Sequence, residues 1–161
     1  MRRLVLILTL FALPAAANPL AGRSYIIEMS SSQMASGYAN YLLPPLMQVM
    51  RGSGLTPRNG PGADVVVNIQ TDSDVGQWVD GAEGQVWLYT ISVTFGISPE
   101  SHVIPYEGTP AFGIRAELMT PNPDRDDELA CLIGLAGRTA LKNYREGGGV
   151  FRTDGQSCLR K

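Results

Sequence analysis

Eleven consecutive residues constrain this chain more than any others. From Trp87 to Ile97, the large side chains Trp87, Tyr89, Ile91, Val93, Phe95 and Ile97 alternate with Leu88, Thr90, Ser92, Thr94 and Gly96. A period of two held over that length describes a strand, not a helix. The large set is expected to face a core. The Thr/Ser set is expected to face solvent or a partner. The rest of the chain must then supply strands to pair with this one and helices to cover its apolar face.

The flanking segments offer both. Ser24 to Met29 reads as a strand, and Ser32 suits the N-cap of a helix that starts near Gln33. Met34, Tyr38, Tyr41, Leu42, Pro45 and Val49 recur at spacings of three and four and share one helical face. Pro44 and Pro45 lack donors, and the ring of Pro44 presses on the carbonyl of Asn40, so a kink or a pair of short helices is expected there. The first helix ends near Arg51-Gly52, and the glycine- and proline-rich stretch Gly52 to Gly62 is a loop. Ala63 to Ile69 is β-branched and reads as a buried central strand. Thr71 to Gly84 is polar and glycine-containing, which predicts a long loop or a loose hairpin. Val103 to Tyr106 is expected as a short edge strand carrying Pro105. Phe112 to Met119 alternates again and ends at Pro121-Asn122-Pro123.

A second helix opens on Asp124 to Glu128, where four acids in five residues favour the positive end of the helix dipole. Leu129, Leu132, Ile133, Ala136, Ala140 and Tyr144 form its apolar face, and Gly147-Gly148-Gly149 stops it. The tail from Val150 to Leu159 reads as a small hairpin around Asp154-Gly155. The order β-α-β-β-β-α-β predicts an α+β two-layer sandwich: a mainly antiparallel sheet with two helices on one face.

Ahead of this domain stands a leader. Arg2 and Arg3 precede the apolar run Leu4 to Leu13, then come Pro14 and Ala15-Ala16-Ala17. Charged, apolar and small-residue regions in that order are the layout of a secretory signal peptide over residues 1–17, with cleavage expected after Ala17. The run is too short to span a bilayer, which needs about 20 apolar residues. Residues 18–161 form one domain. Arg2 and Arg3 leave with the leader, so 13 basic residues become 11 against 15 acidic ones, a net charge of −4. That balance argues against nucleic acid and against an anionic membrane surface as partners. A periplasmic or secreted location is expected.

Two cysteines in an exported chain favour a Cys131–Cys158 disulfide. With those sulfurs bonded and His102 the sole histidine, neither a metal site nor a Ser–His or Cys–His nucleophile is expected. His102 reads as an exposed turn residue. Counting Asp72 as the first position of a calcium loop, Asp74, Asp80 and Glu83 fall at the third, ninth and twelfth. The position that needs glycine holds Gln77, so a solvated acidic loop is the better reading. Arg51 and Arg58 flank a glycine loop, but that loop leaves a helix and enters a strand, the reverse of a phosphate cradle. No cofactor is implied.

The residues singled out for binding are Trp78, with Asp80 and Glu83 beside it. Trp78 is expected to pack back onto the sheet or, as the alternative, to stand exposed as an anchor for a protein contact. The leading expectation is an exported accessory domain that works through contacts with another envelope or secreted protein. Two alternatives are a small-ligand binder, with a pocket between the first helix and the sheet near Pro44-Pro45, and a hydrolase using the carboxylates of Asp72 to Glu83.

Overall fold

A computed structural model describes residues 19–29, 37–100 and 109–160. The elements run β1 (Ser24–Glu28), α1 (Ala39–Arg51), β2 (Thr56–Pro57), β3 (Val65–Ser73), β4 (Gln77–Gly81), β5 (Gly84–Pro99), β6 (Phe112–Thr120), α2 (Asp126–Asn143) and β7 (Gly149–Asp154). A single 3₁₀ turn, Gln156–Cys158, follows. The sheet order is β2-β1-β3-β5-β6-β7, and β4 pairs with β5 alone.

The α+β two-layer arrangement is as expected from the pattern. The long central ladders, β3 with β5 and β5 with β6, are antiparallel. The flanks are parallel, β1 with β3 and β6 with β7, which makes the sheet mixed. The reason is topological: each helix lies between two neighbouring strands, and a strand–helix–strand crossover returns the chain in the same direction. Two short strands, β2 and β4, add to the expected order.

Ile91, Val93, Phe95 and Ile97 line the face under the helices, and all four are buried. Leu42, Leu46 and Met50 of α1 and Leu132, Ile133 and Ala136 of α2 close over it. The helices meet at Gly137, where a Cβ would lie 2.7 Å from Val49 Cγ1 and 2.9 Å from Phe95 Cε2. The absent side chain lets α2 settle against α1 and the sheet at once.

Four local expectations change. The helix α1 runs unbroken through Pro44 and Pro45. The carbonyls that lose donors belong to Asn40 and Tyr41, both on exposed residues, where water can solvate them. Of the two expectations for residues 71–84 the hairpin holds, and it is regular rather than loose: β3 continues to Ser73, and β4 turns into β5 across Ala82-Glu83, with Gly81 facing Gly84. The tail is one strand and a turn, because Gly155 N–H donates to Glu117 O at 2.7 Å and the chain then curls toward α2.

The fourth change concerns the Thr/Ser set of β5. Ser92, Thr94 and Ser98 are buried, at 3%, 7% and 5% exposure, not turned to solvent. Register puts Arg115 beside Thr94 and Glu117 beside Ser92. Arg115 bonds Glu117 Oε1 at 2.7 Å and reaches Asp72 Oδ2 on β3 at 3.5 Å, so its long side chain crosses over the short residues of β5. Gly96 is covered by Asn68 and Pro110. The expected leader (1–17), Ser32, His102 and the strand at 103–106 lie outside the described residues.

The chain's end is tied down three ways. Cys131 and Cys158 are joined. Glu128 is buried and its Oε1 accepts from Thr120 Oγ1, Asn122 Nδ2 and the Arg160 amide. Arg160 also pairs with Asp127 at 2.8 Å. With a sequence separation of 27, the bridge closes a loop whose entropy is worth about 3.5 kcal/mol. A C131S/C158S double variant should therefore fold and lose about that much stability, read as a lower urea midpoint against the oxidised parent.

Candidate functional site

The inner part of β5 is paired on both sides from Ile91 to Ile97. Its outer part, Gly84 to Leu88, extends past β3 and β6 and pairs only with β4. The β4–β5 hairpin therefore projects from the sheet. One side of it carries Trp78, Trp87 and Tyr89. The indoles of Trp78 and Trp87 sit opposite each other in register and meet edge to face, with centroids 5.2 Å apart. Trp87 meets Tyr89 the same way at 6.4 Å. The guanidinium of Arg125, just ahead of α2, stacks 4.6 Å over the Tyr89 ring. The series runs from the second layer of the fold to the outermost indole, Trp78, which is 62% exposed.

The root of the hairpin is pinned by Asp74. Its Oδ1 accepts from the Thr90 amide at 2.8 Å and from the Gly76 amide at 3.0 Å. These bonds, Thr90 first, hold its carboxyl below the ordinary value of 3.8, with a smaller contribution from Arg125. Gly76 has φ +85°, and a Cβ there would lie 2.7 Å from Trp87 Cε2. Only glycine serves there, for both conformation and space.

Trp78 stands exposed and meets only the hairpin's own Trp87 among the aromatic rings, which overturns the expectation that it packs back onto the sheet. Asp80 stands on β4, where Oδ1 accepts from Gln85 Nε2 at 3.2 Å, and Glu83 occupies the exposed turn. Asp72 is on β3, engaged with Arg115. Among the described residues, no three His, Cys, Asp or Glu side chains gather as a metal ion would require. Asp127 is held by Arg160. In the Arg51–Gly62 connection, the Gly62 amide already donates to Glu100 Oε1, and Arg58 folds against Gly62. The expected pocket between the first helix and the sheet is displaced. Leu42, Leu46 and Met50 fill that interface, and the opening lies instead between the outer sides of α1 and α2, a groove of about 1010 Å³ that includes Pro45.

Sequence reasoning missed Trp87 and Tyr89 as members of the site, because their alternation with the core residues placed them in the core stripe. It also missed Arg125, hidden in a run of acids. The signal available was length: the alternating strand is longer than the strands expected beside it.

No protein-family model matches this chain, and no curated protein is detectably similar to it. Among solved structures, it is similar to a minor lipoprotein from Acinetobacter baumannii, at 14% identity over 74% of this chain and 86% of that one, with a TM-score of 0.42.

Two outcomes test the geometry. Replacing Trp78 by alanine should abolish the coupled-indole circular dichroism of the Trp78–Trp87 pair while shifting stability by less than about 0.5 kcal/mol, as for an exposed residue. Asp74 works in the opposite sense. Its folded pKa is depressed, so its contribution is complete above the unfolded value and fades as pH falls through the folded one. Asp74→Asn should therefore destabilise at neutral pH and flatten the acid limb of the stability curve, measured by urea unfolding between neutral and strongly acidic pH.

Proposed function

We propose that this chain is an exported, disulfide-bonded accessory domain that works by presenting the β4–β5 hairpin to another envelope or secreted protein. The observation that carries the reading is the exposed Trp78 indole on a braced support. A large aromatic side chain costs free energy when left in water, and its natural use is as an anchor in a partner's pocket. Val75, three residues before it in the chain, is a further exposed apolar residue of this region, at 88%. The bracing matters because a contact residue held in one orientation loses little entropy on binding.

The layout of the leader and the Cys131–Cys158 bridge support an oxidising compartment outside the cytosol. Among the described residues, no helix is long and apolar enough to cross a membrane. A hydrolase built on Asp80 and Glu83 has less support. Both carboxylates stand on exposed residues of the projecting hairpin, whereas acid–base pairs work in clefts that shift their pKa values.

A photo-crosslinking amino acid at position 78 or 75, introduced in the native host, should give one discrete adduct with another exported protein. The same probe at Arg51, on the far end of α1, should not. Trp78→Glu, with the probe at 75, should remove the adduct without lowering the protein's abundance. Adducts of equal pattern from positions 75 and 51 would overturn the reading.

A further inference from the structure

The groove between α1 and α2 has a composition that the hairpin does not explain. Its floor is apolar, formed by Pro45, Val49 and Leu141, with Tyr144 at one end. Its α2 side carries Arg138 and Lys142, and Arg145 follows just past the helix. No acidic residue lines it among the described residues. The chain's described ion pairs involve Arg115, Arg152 and Arg160, so none of the three groove cations is matched by a carboxylate among the described residues. Arg145 rests on the Phe151 ring at 4.7 Å, a contact that leaves its charge uncompensated. Arg138 lies along the groove because position 134 is glycine: a Cβ there would stand 3.0 Å from Arg138 Nη1. Burial raises the Tyr144 hydroxyl above its ordinary pKa, against a lowering influence of Arg23, and Glu146 raises it further.

A floor of this kind takes an apolar body, and the rim takes a negative charge. Both walls are helices whose backbone donors are used internally, so there is no free strand edge to bind a peptide main chain. Affinity must come from apolar contact and from charge. At about 1010 Å³ the groove matches the upper end of small-molecule sites. We propose that the α1–α2 groove binds a free long-chain carboxylate, its acyl chain along Pro45, Val49 and Leu141 and its head group against Arg138 and Lys142. This site is independent of the hairpin and survives or fails on its own.

Titration calorimetry on the purified protein at low ionic strength tests it. Sodium laurate below its micellar concentration should bind saturably. Dodecanol, the neutral counterpart, should bind at least about tenfold more weakly, and acetate not at all. Arg138→Gln with Lys142→Gln, both at exposed positions, should bring laurate down to the level of dodecanol while keeping the urea midpoint of the parent. Gly134→Leu, whose Cβ would meet the flexible end of Arg138, should weaken both ligands by filling the groove. Trp78→Ala should change neither, which separates this site from the hairpin. Equal binding of laurate and dodecanol, an unchanged laurate affinity in the double glutamine variant, or binding to anionic phosphatidylglycerol vesicles without binding to laurate would each overturn the proposal.

Discussion

The length of β5 governs this molecule. The strand has 16 residues, and its neighbours β3 and β6 have nine each. Burial of Ile91, Val93, Phe95 and Ile97 under the helices fixes which part of β5 lies inside the sheet, because a slip of one residue would turn all four to the opposite face. Once that register is set, Gly84 to Leu88 must project. An unpaired strand end would leave backbone donors and acceptors without protein partners, and β4 supplies them by folding straight back. The exposed indole is thus a consequence of core registration. Trp78 faces Trp87, which lies four residues before Ile91 on the same alternating face.

The opposite face of the sheet is organised by a different rule. Helices cover only one side, so burial on the other side is achieved by long polar chains lying over short ones. Arg115 bridges β6 to β3 above Ser92 and Thr94, and Glu117 joins it to Arg152 on β7 at 3.7 Å. These are partly exposed ion pairs, worth little individually. Their effect is geometric: they span β3, β6 and β7 at fixed register and leave a closely packed polar surface where bulky apolar residues would demand a third layer.

Much of this was legible in the amino-acid order. The alternation of β5 and β6, the apolar faces of the two helices and the pairing of the only two cysteines all rest on local pattern or on compartment chemistry, and those survive folding. What was not legible depends on neighbours distant in sequence. Ser92 and Thr94 look like solvent-facing residues until Arg115 is placed beside them by register. Pro44 and Pro45 look like a break until Asn40 and Tyr41 prove to be on the wet side of α1. Gln77 to Gly81 looks like loop because a strand that pairs on one edge and buries neither face needs no apolar alternation. At the site, Trp78 stood out by its surroundings, while Trp87 and Tyr89 were masked by the core pattern that they continue. The groove cations were illegible for a similar reason: Arg138 and Lys142 lie on a helix flank that reads as an ordinary solvated surface.

The helix α2 runs between the two proposed sites. Its 18 residues span about 27 Å. Arg125, ahead of its N-terminus, braces the hairpin, and Lys142 in its last turn faces the groove. The acids Asp126, Asp127 and Glu128 in its first turn sit at the positive end of the helix dipole. Communication between the regions would require α2 to move as a body. Gly137 wedged against Val49 and Phe95, the Cys131–Cys158 bridge and the buried Glu128 hold it at three points along its length. Those three anchors also fix where Arg125 stands over Tyr89, so the same helix that covers the sheet sets the position of the hairpin's brace.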